Sequence, residues 1–200
     1  MEAGTIRTSD LLRGLLDRTE TEEITVADML KPVGTRAHGL GLFLFALPEA
    51  LPLPIAGVSA ILGIPLIILS AHLLIFGSRR ELPGSLLRRK LPGGMMRLAL
   101  SKAIPILQKI ERISRPRWQR WTSMERLLGL VCLILAIVIT LPIPFGNLPP
   151  AICLAAISFG LLARDGVLVV IGLAGSVVLL GSVGLLADFL VGLFYTERTA

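Results

Sequence analysis

Leu141-Pro142-Ile143-Pro144-Phe145-Gly146-Asn147-Leu148-Pro149-Pro150 decides the fold, because it interrupts an apolar run that would otherwise continue as one helix. Proline has no amide hydrogen and clashes with the preceding turn, so two prolines at i and i+2 followed by glycine stop a helix. A related stretch, Leu51-Pro52-Leu53-Pro54-Ile55-Ala56-Gly57, lies ninety residues earlier inside another apolar run. Each run therefore reads as helix, break, helix. In a bilayer such a break survives only where protein or a water-filled cavity satisfies the freed backbone groups, so the two breaks are the first place to look for function.

The surrounding composition fits that setting. The 200 residues are 54% hydrophobic, with a mean hydropathy of +0.79, and the apolar residues cluster in runs of membrane length. The expected class is an all-α integral membrane protein. The net charge of +6 is uneven: residues 78–126 hold thirteen Lys/Arg against three Glu. Beside apolar spans, such a segment is expected to be a cytoplasmic loop obeying the positive-inside rule and touching anionic lipid headgroups, in preference to nucleic acid. Residues 1–38 carry seven acidic and five basic side chains and no apolar core of a cleavable signal, so insertion is expected through the first apolar segment.

Five segments follow. Residues 1–38 form cytoplasmic amphipathic helices, one capped near Thr8-Ser9-Asp10 with Leu11, Leu12, Leu15 and Leu16 on one face, another opened by Thr25 and Asp28. Residues 39–77 form the first broken hairpin. Its opening arm of about 20 Å is too short to span, and its second arm should kink at Gly63 and Pro65. Residues 78–126 are the basic connector, divided by prolines into amphipathic pieces expected to lie in the interface, with Trp118 and Trp121 suited to an aromatic belt. Residues 127–166 form the second hairpin, whose returning arm, Ile143 to Ala163, would reach about 31 Å. It ends at Arg164-Asp165-Gly166, with Gly166 suited to a left-handed cap and Arg164 and Asp165 as cytoplasmic anchors. Residues 167–200 form a C-terminal span whose glycines and serines favour close helix packing. At an offset of ninety, Pro52 and Pro54 fall on Pro142 and Pro144, so an internal repeat is expected. Because the connector cannot cross, the two hairpins should be parallel.

The two proline motifs, together with Pro150-Ala151, Gly160-Leu161, Arg164-Asp165-Gly166, Gly57-Val58-Ser59 and Gly63-Ile64-Pro65, resemble the signature of the ExoD family over roughly residues 8 to 195. The resemblance implies a multi-pass protein of the bacterial inner membrane tied to exopolysaccharide production, with its N-terminus and connector cytoplasmic. In some members of the family it extends to growth at alkaline pH. It implies no reaction.

Among groups that carry chemistry, Glu49 stands two residues before the first proline pair in an otherwise uncharged run. At membrane depth it would be a functional carboxyl; at the far surface it would simply be solvated. Asn147 either caps the following helix or faces a polar ligand at the break, with Ser59 a weaker analogue. The expected ligand or transport path is therefore lined by Glu49, Pro52, Pro54, Gly57, Ser59, Pro142, Pro144, Gly146 and Asn147. His38 and His72 are expected to meet at the cytoplasmic end, as packing. Asp188 marks the far interface or pairs with a base such as Arg164. Cys132 and Cys153 lie inside apolar runs as packing or lipid-facing residues, and no metal, cofactor or catalytic motif is expected. The first expected function is ion or solute transport through the breaks in support of exopolysaccharide production, and the alternative is a non-transporting accessory subunit of a polysaccharide-synthesis assembly. An intramembrane enzyme on a lipid-linked precursor is disfavoured, and a homo-oligomer stays open.

Overall fold

A computed structural model describes residues 13–14, 25–50, 58–78, 80–88, 97, 100–101, 104–105, 108–109, 118–141 and 146–198. The regular elements among them are helices. Thr25 opens α1 (Val26–Leu30), its amide and hydroxyl donating to Asp28 Oδ2 at 2.9 and 2.6 Å, as the Thr–Asp spacing predicts. Pro32 then starts a 3-10 segment, Lys31–Arg36, which turns at Gly34 with φ 59°. Of the earlier amphipathic helix, only residues 13 and 14 are described, and they are helical.

The chain continues through α2 (Ala37–Ala50), α3 (Val58–Phe76), the short α4 (Gly84–Leu87) and α5 (Gln119–Thr122), then α6 (Glu125–Thr140), α7 (Leu148–Ala163) and the long α8 (Gly166–Arg198). The principal contacts cross between the two helix pairs: α2 lies against α7 and α3 against α6, while contacts within each pair are secondary. Exchanging one pair for the other leaves this arrangement unchanged. Glycine sets the approach in both cases. A Cβ added at Gly39 would sit 2.8 Å from the Leu162 amide nitrogen, and one at Gly129, ninety residues on, 2.4 Å from that of Leu74. These approaches put the start of α2 beside the end of α7 and the start of α6 beside the end of α3. Principal partners therefore run antiparallel, and both pairs open at the same end. Between them Leu42, Leu66, Leu69, Leu73, Cys132, Leu135, Ala136 and Leu154 are fully buried, so Cys132 is a packing residue.

Several expectations change. The helix α3 runs through Gly63 and Pro65 as one element. The returning arm α7 begins at Leu148, five residues later than expected, and its sixteen residues reach only about 24 Å. Its left-handed cap is Arg164 (φ 54°, ψ 33°), not Gly166; the amide of Asp165 closes the turn on the Gly160 carbonyl at 2.9 Å. Gly166 is needed for space instead, since a Cβ there would lie 2.3 Å from the Trp118 carbonyl oxygen. Among the described residues of the connector, Leu86 and Leu100 are fully buried and Ile104 nearly so. Finally, among the described side chains, α8 packs closely along its first half. Gly172 and Gly175 approach Ile157 and Cys153 on α7, and Ser176 is buried, but Gly181 and Gly184 face open space. At 33 residues α8 is about 50 Å long, twice the length of α7, so its far half outruns its partner.

Candidate functional site

The open end of the bundle gathers the polar groups. His38, in the first turn of α2 and 2% exposed, meets His72 of α3 with Nε2 and Nδ1 2.9 Å apart and rings stacked at 5.1 Å. One of the two nitrogens donates and the other accepts, and protonating both rings would set two cations side by side. His38 precedes the apolar stretch that begins at Gly39. Burial, and then the neighbouring His72, hold it far below the usual histidine range, at about 4. Phe76 packs on His72, and the Arg80 guanidinium lies 4.5 Å above the Phe76 ring.

A second link joins the pairs here. Gly77, with φ 71°, ends α3 in a left-handed turn that favours glycine, and a Cβ there would lie 2.7 Å from Glu125 Oε2. The turn points the Ser78 amide at Glu125 Oε2, at 2.6 Å, while the Ser78 hydroxyl donates to Glu125 Oε1. Glu125 sits in the first turn of α6, where the helix dipole favours a carboxylate. Arg36, Arg120 and Arg164 stand around the same space. With His38, Ser78, Ser123 and Glu125 they line a cavity of about 500 Å³. Guanidinium groups around a water-accessible cavity can hold an oxyanion through paired N–H donors.

At the anchor positions, Asp165 is buried at 3% exposure and accepts the Val167 amide at 3.0 Å, capping α8. Arg164 lines the cavity. Trp118 and Trp121 are 62% and 39% exposed on the same side. Asp188 lies 22 residues along α8 from Gly166, about 33 Å away, and so does not pair with Arg164.

Of the residues expected at the breaks, Glu49, Gly146 and Asn147 are described, and they lie at the opposite end. Gly39 faces Ser158 to Leu162, so the antiparallel register brings Glu49, about 15 Å further along, level with the first turn of α7. Glu49 is half-buried and Asn147 is 9% exposed. Asn147 occupies the cap position without a side-chain cap, because the N2 and N3 residues that would donate to it are Pro149 and Pro150 and have no amide hydrogen. Gly146 lies in the turn before α7. Pro52, Pro54, Gly57, Pro142 and Pro144 lie outside the described residues, as does the side chain of Ser59. The structure thus brings Glu49 and Asn147 to one level, far from the cavity. Glu125, Ser78, Arg36 and Arg120 escaped the sequence reading. Their signal was that Gly77-Ser78 closes one apolar run and Glu125 opens the next.

A family model described as "Exopolysaccharide synthesis, ExoD" matches residues 8–185. The chain is 28% identical to Protein ExoD of Rhizobium meliloti over 167 residues, covering 80% of this chain and 69% of that protein. It is 26% identical to an uncharacterized protein of Synechocystis over 159 residues, covering 78% of this chain and 75% of that one. No solved structure matches it.

Proposed function

Because the chain belongs to the ExoD family of exopolysaccharide-synthesis proteins, we propose that it serves exopolysaccharide production as a non-transporting accessory protein embedded in the bacterial inner membrane. The observation that carries this proposal is the row of exposed apolar side chains along α6 and α8. Along the outward face of α6, Leu127, Leu130, Ile134, Ile137 and Leu141 are all exposed, and along α8 Val177, Val178 and Leu185 are more than 70% exposed. A helix apolar on both faces suits a bundle surrounded by lipid. Within α8 the stretch Gly166–Leu185 is long and apolar enough to cross a membrane. Hydroxyls in the apolar helices mostly return to their own backbone: Thr140 donates to the Ala136 carbonyl and Ser176 to that of Gly172, both at 2.7 Å, which is how such groups are accommodated in lipid.

The accessory role is favoured over transport by the packing between the two ends. Leu42, Leu69, Leu73, Leu135 and Leu154 fill the space between the cavity and the level of Glu49 and Asn147, and all are fully buried. The helix pairs then act as a packing device, and the basic connector and cavity face the cytoplasm, where polysaccharide-synthesis partners and anionic headgroups are met. No catalytic group is assigned. The test is exopolysaccharide yield in a deletion strain complemented with variants that still insert. Glu49→Gln should restore near-normal yield, whereas Arg88→Gln combined with Arg89→Gln should not. Loss of yield with Glu49→Gln and full yield with the arginine variant would overturn the proposal.

A further inference from the structure

We propose that the cavity at the open end of the bundle binds a phosphoryl group. Its three arginines come from separate parts of the chain: Arg36 from the 3-10 segment, Arg120 from α5, and Arg164 from the turn between α7 and α8. None of the three forms an ion pair among the described residues. Glu125 is the one carboxylate lining the cavity among those residues, and both of its oxygens already accept from Ser78. The cavity therefore keeps an excess of positive charge with its N–H donors unused. Planar guanidinium forks match phosphate oxygens two by two, and three from different directions can surround one phosphoryl group.

Two features make this more than a basic surface. Arg164 occupies a left-handed turn position that ordinarily favours glycine, yet is an arginine that lines the cavity. A volume of about 500 Å³ also exceeds what a bare phosphate fills and lies within the usual range of small-ligand sites, leaving room for a sugar or glycerol substituent. The cavity opens where the apolar helices end and Trp118 and Trp121 are exposed, the depth at which lipid phosphates lie. Two sources share this chemistry, an anionic lipid headgroup and a soluble phosphate ester. The site stands whether or not the accessory role does, since its test reads binding and not polysaccharide yield.

The experiment uses the full chain purified in neutral detergent. Retention of phosphatidylglycerol against phosphatidylcholine is read by native mass spectrometry. Binding of inorganic phosphate and of glycerol 3-phosphate is read by calorimetry at fixed ionic strength with chloride as reference. Selective retention of phosphatidylglycerol, displaced by inorganic phosphate, identifies the lipid as the source; saturable binding of phosphate or its ester without lipid retention identifies a soluble ligand. In either case Arg36→Gln and Arg120→Gln should each weaken binding about tenfold, the usual effect of losing a charge-assisted contact, and Lys109→Gln, an exposed cation outside the cavity, by less than twofold. Should one arginine variant fail to fold, the other carries the comparison. Absence of binding to every probe, or equal weakening by Lys109→Gln, overturns the proposal.

Discussion

Replacing Gly129 with alanine tests the crosswise packing of the two helix pairs. The added methyl carbon would lie 2.4 Å from the Leu74 amide nitrogen, 2.7 Å from Leu74 Cα and 2.9 Å from the Leu73 carbonyl carbon. All three are backbone atoms, so no side chain can swing aside. Ordinary contact begins near 3.4 Å, and relief requires α6 to back away from α3 by about 1 Å. A gap of that size forfeits about a quarter to a half of the dispersion energy along the seam, where Leu69, Leu73, Leu128, Cys132 and Leu135 are fully buried. Overpacking of this kind costs about 1–3 kcal/mol. Three backbone approaches under 3.0 Å put the cost in the upper part of that range, about 2–3 kcal/mol, and alanine recovers up to about 1 kcal/mol through better helix propensity, so the net expectation is a loss of about 1–2 kcal/mol. Gly181→Ala supplies the control, because nothing lies within 4 Å of its added carbon and only the favourable term remains. Thermal unfolding in detergent, followed by the fluorescence of Trp118 and Trp121, should give a lower midpoint for Gly129→Ala and an equal or higher one for Gly181→Ala. A Gly129→Ala protein as stable as wild type would refute the close α3–α6 approach.

Further outcomes follow from the open end. Removing the carboxylate in Glu125→Ala leaves the Ser78 amide and hydroxyl without their acceptor and should cost about 1–3 kcal/mol, against about 1 kcal/mol for Ser78→Ala; a double-mutant cycle that proves additive would contradict the link. His38 has its ordinary value of 6.5 in the unfolded chain and about 4 in the folded one, so the unfolded state takes up the extra proton between them. Stability is then complete above pH 6.5 and falls as pH drops from 6.5 towards 4. His38→Gln should flatten that slope, and parallel midpoint curves would count against the buried neutral imidazole. Asp165→Ala removes the cap of α8 and should cost about 1 kcal/mol, read as faster hydrogen exchange at Val167 than at Gly172.

What the sequence made legible was local and periodic. The Thr25–Asp28 spacing, the long apolar runs and the stops beside Ala50, Phe76 and Thr140 rest on chain chemistry that acts within a few residues. The meeting of His38 and His72 followed from treating the first segment as a hairpin. That Asn147 would hold the cap position without a side-chain cap was legible in principle, since Pro149 and Pro150 cannot donate to a capping side chain. By contrast, Glu125, Ser78 and the three cavity arginines are brought together by helices distant in sequence, and no short-range pattern reports which charges of a basic connector will converge. The burial of Leu86 and Leu100 has the same cause: an amphipathic segment fits lipid or protein equally well, and tertiary contacts decide.

The most direct test of the accessory role is proton and cation flux across a pH gradient in proteoliposomes, with wild type beside Glu49→Gln. A bundle closed between its cavity and its breaks should pass neither ion above the rate of protein-free liposomes, in either form. Flux through the wild type that disappears in Glu49→Gln would contradict the account and make the first break part of an ion path.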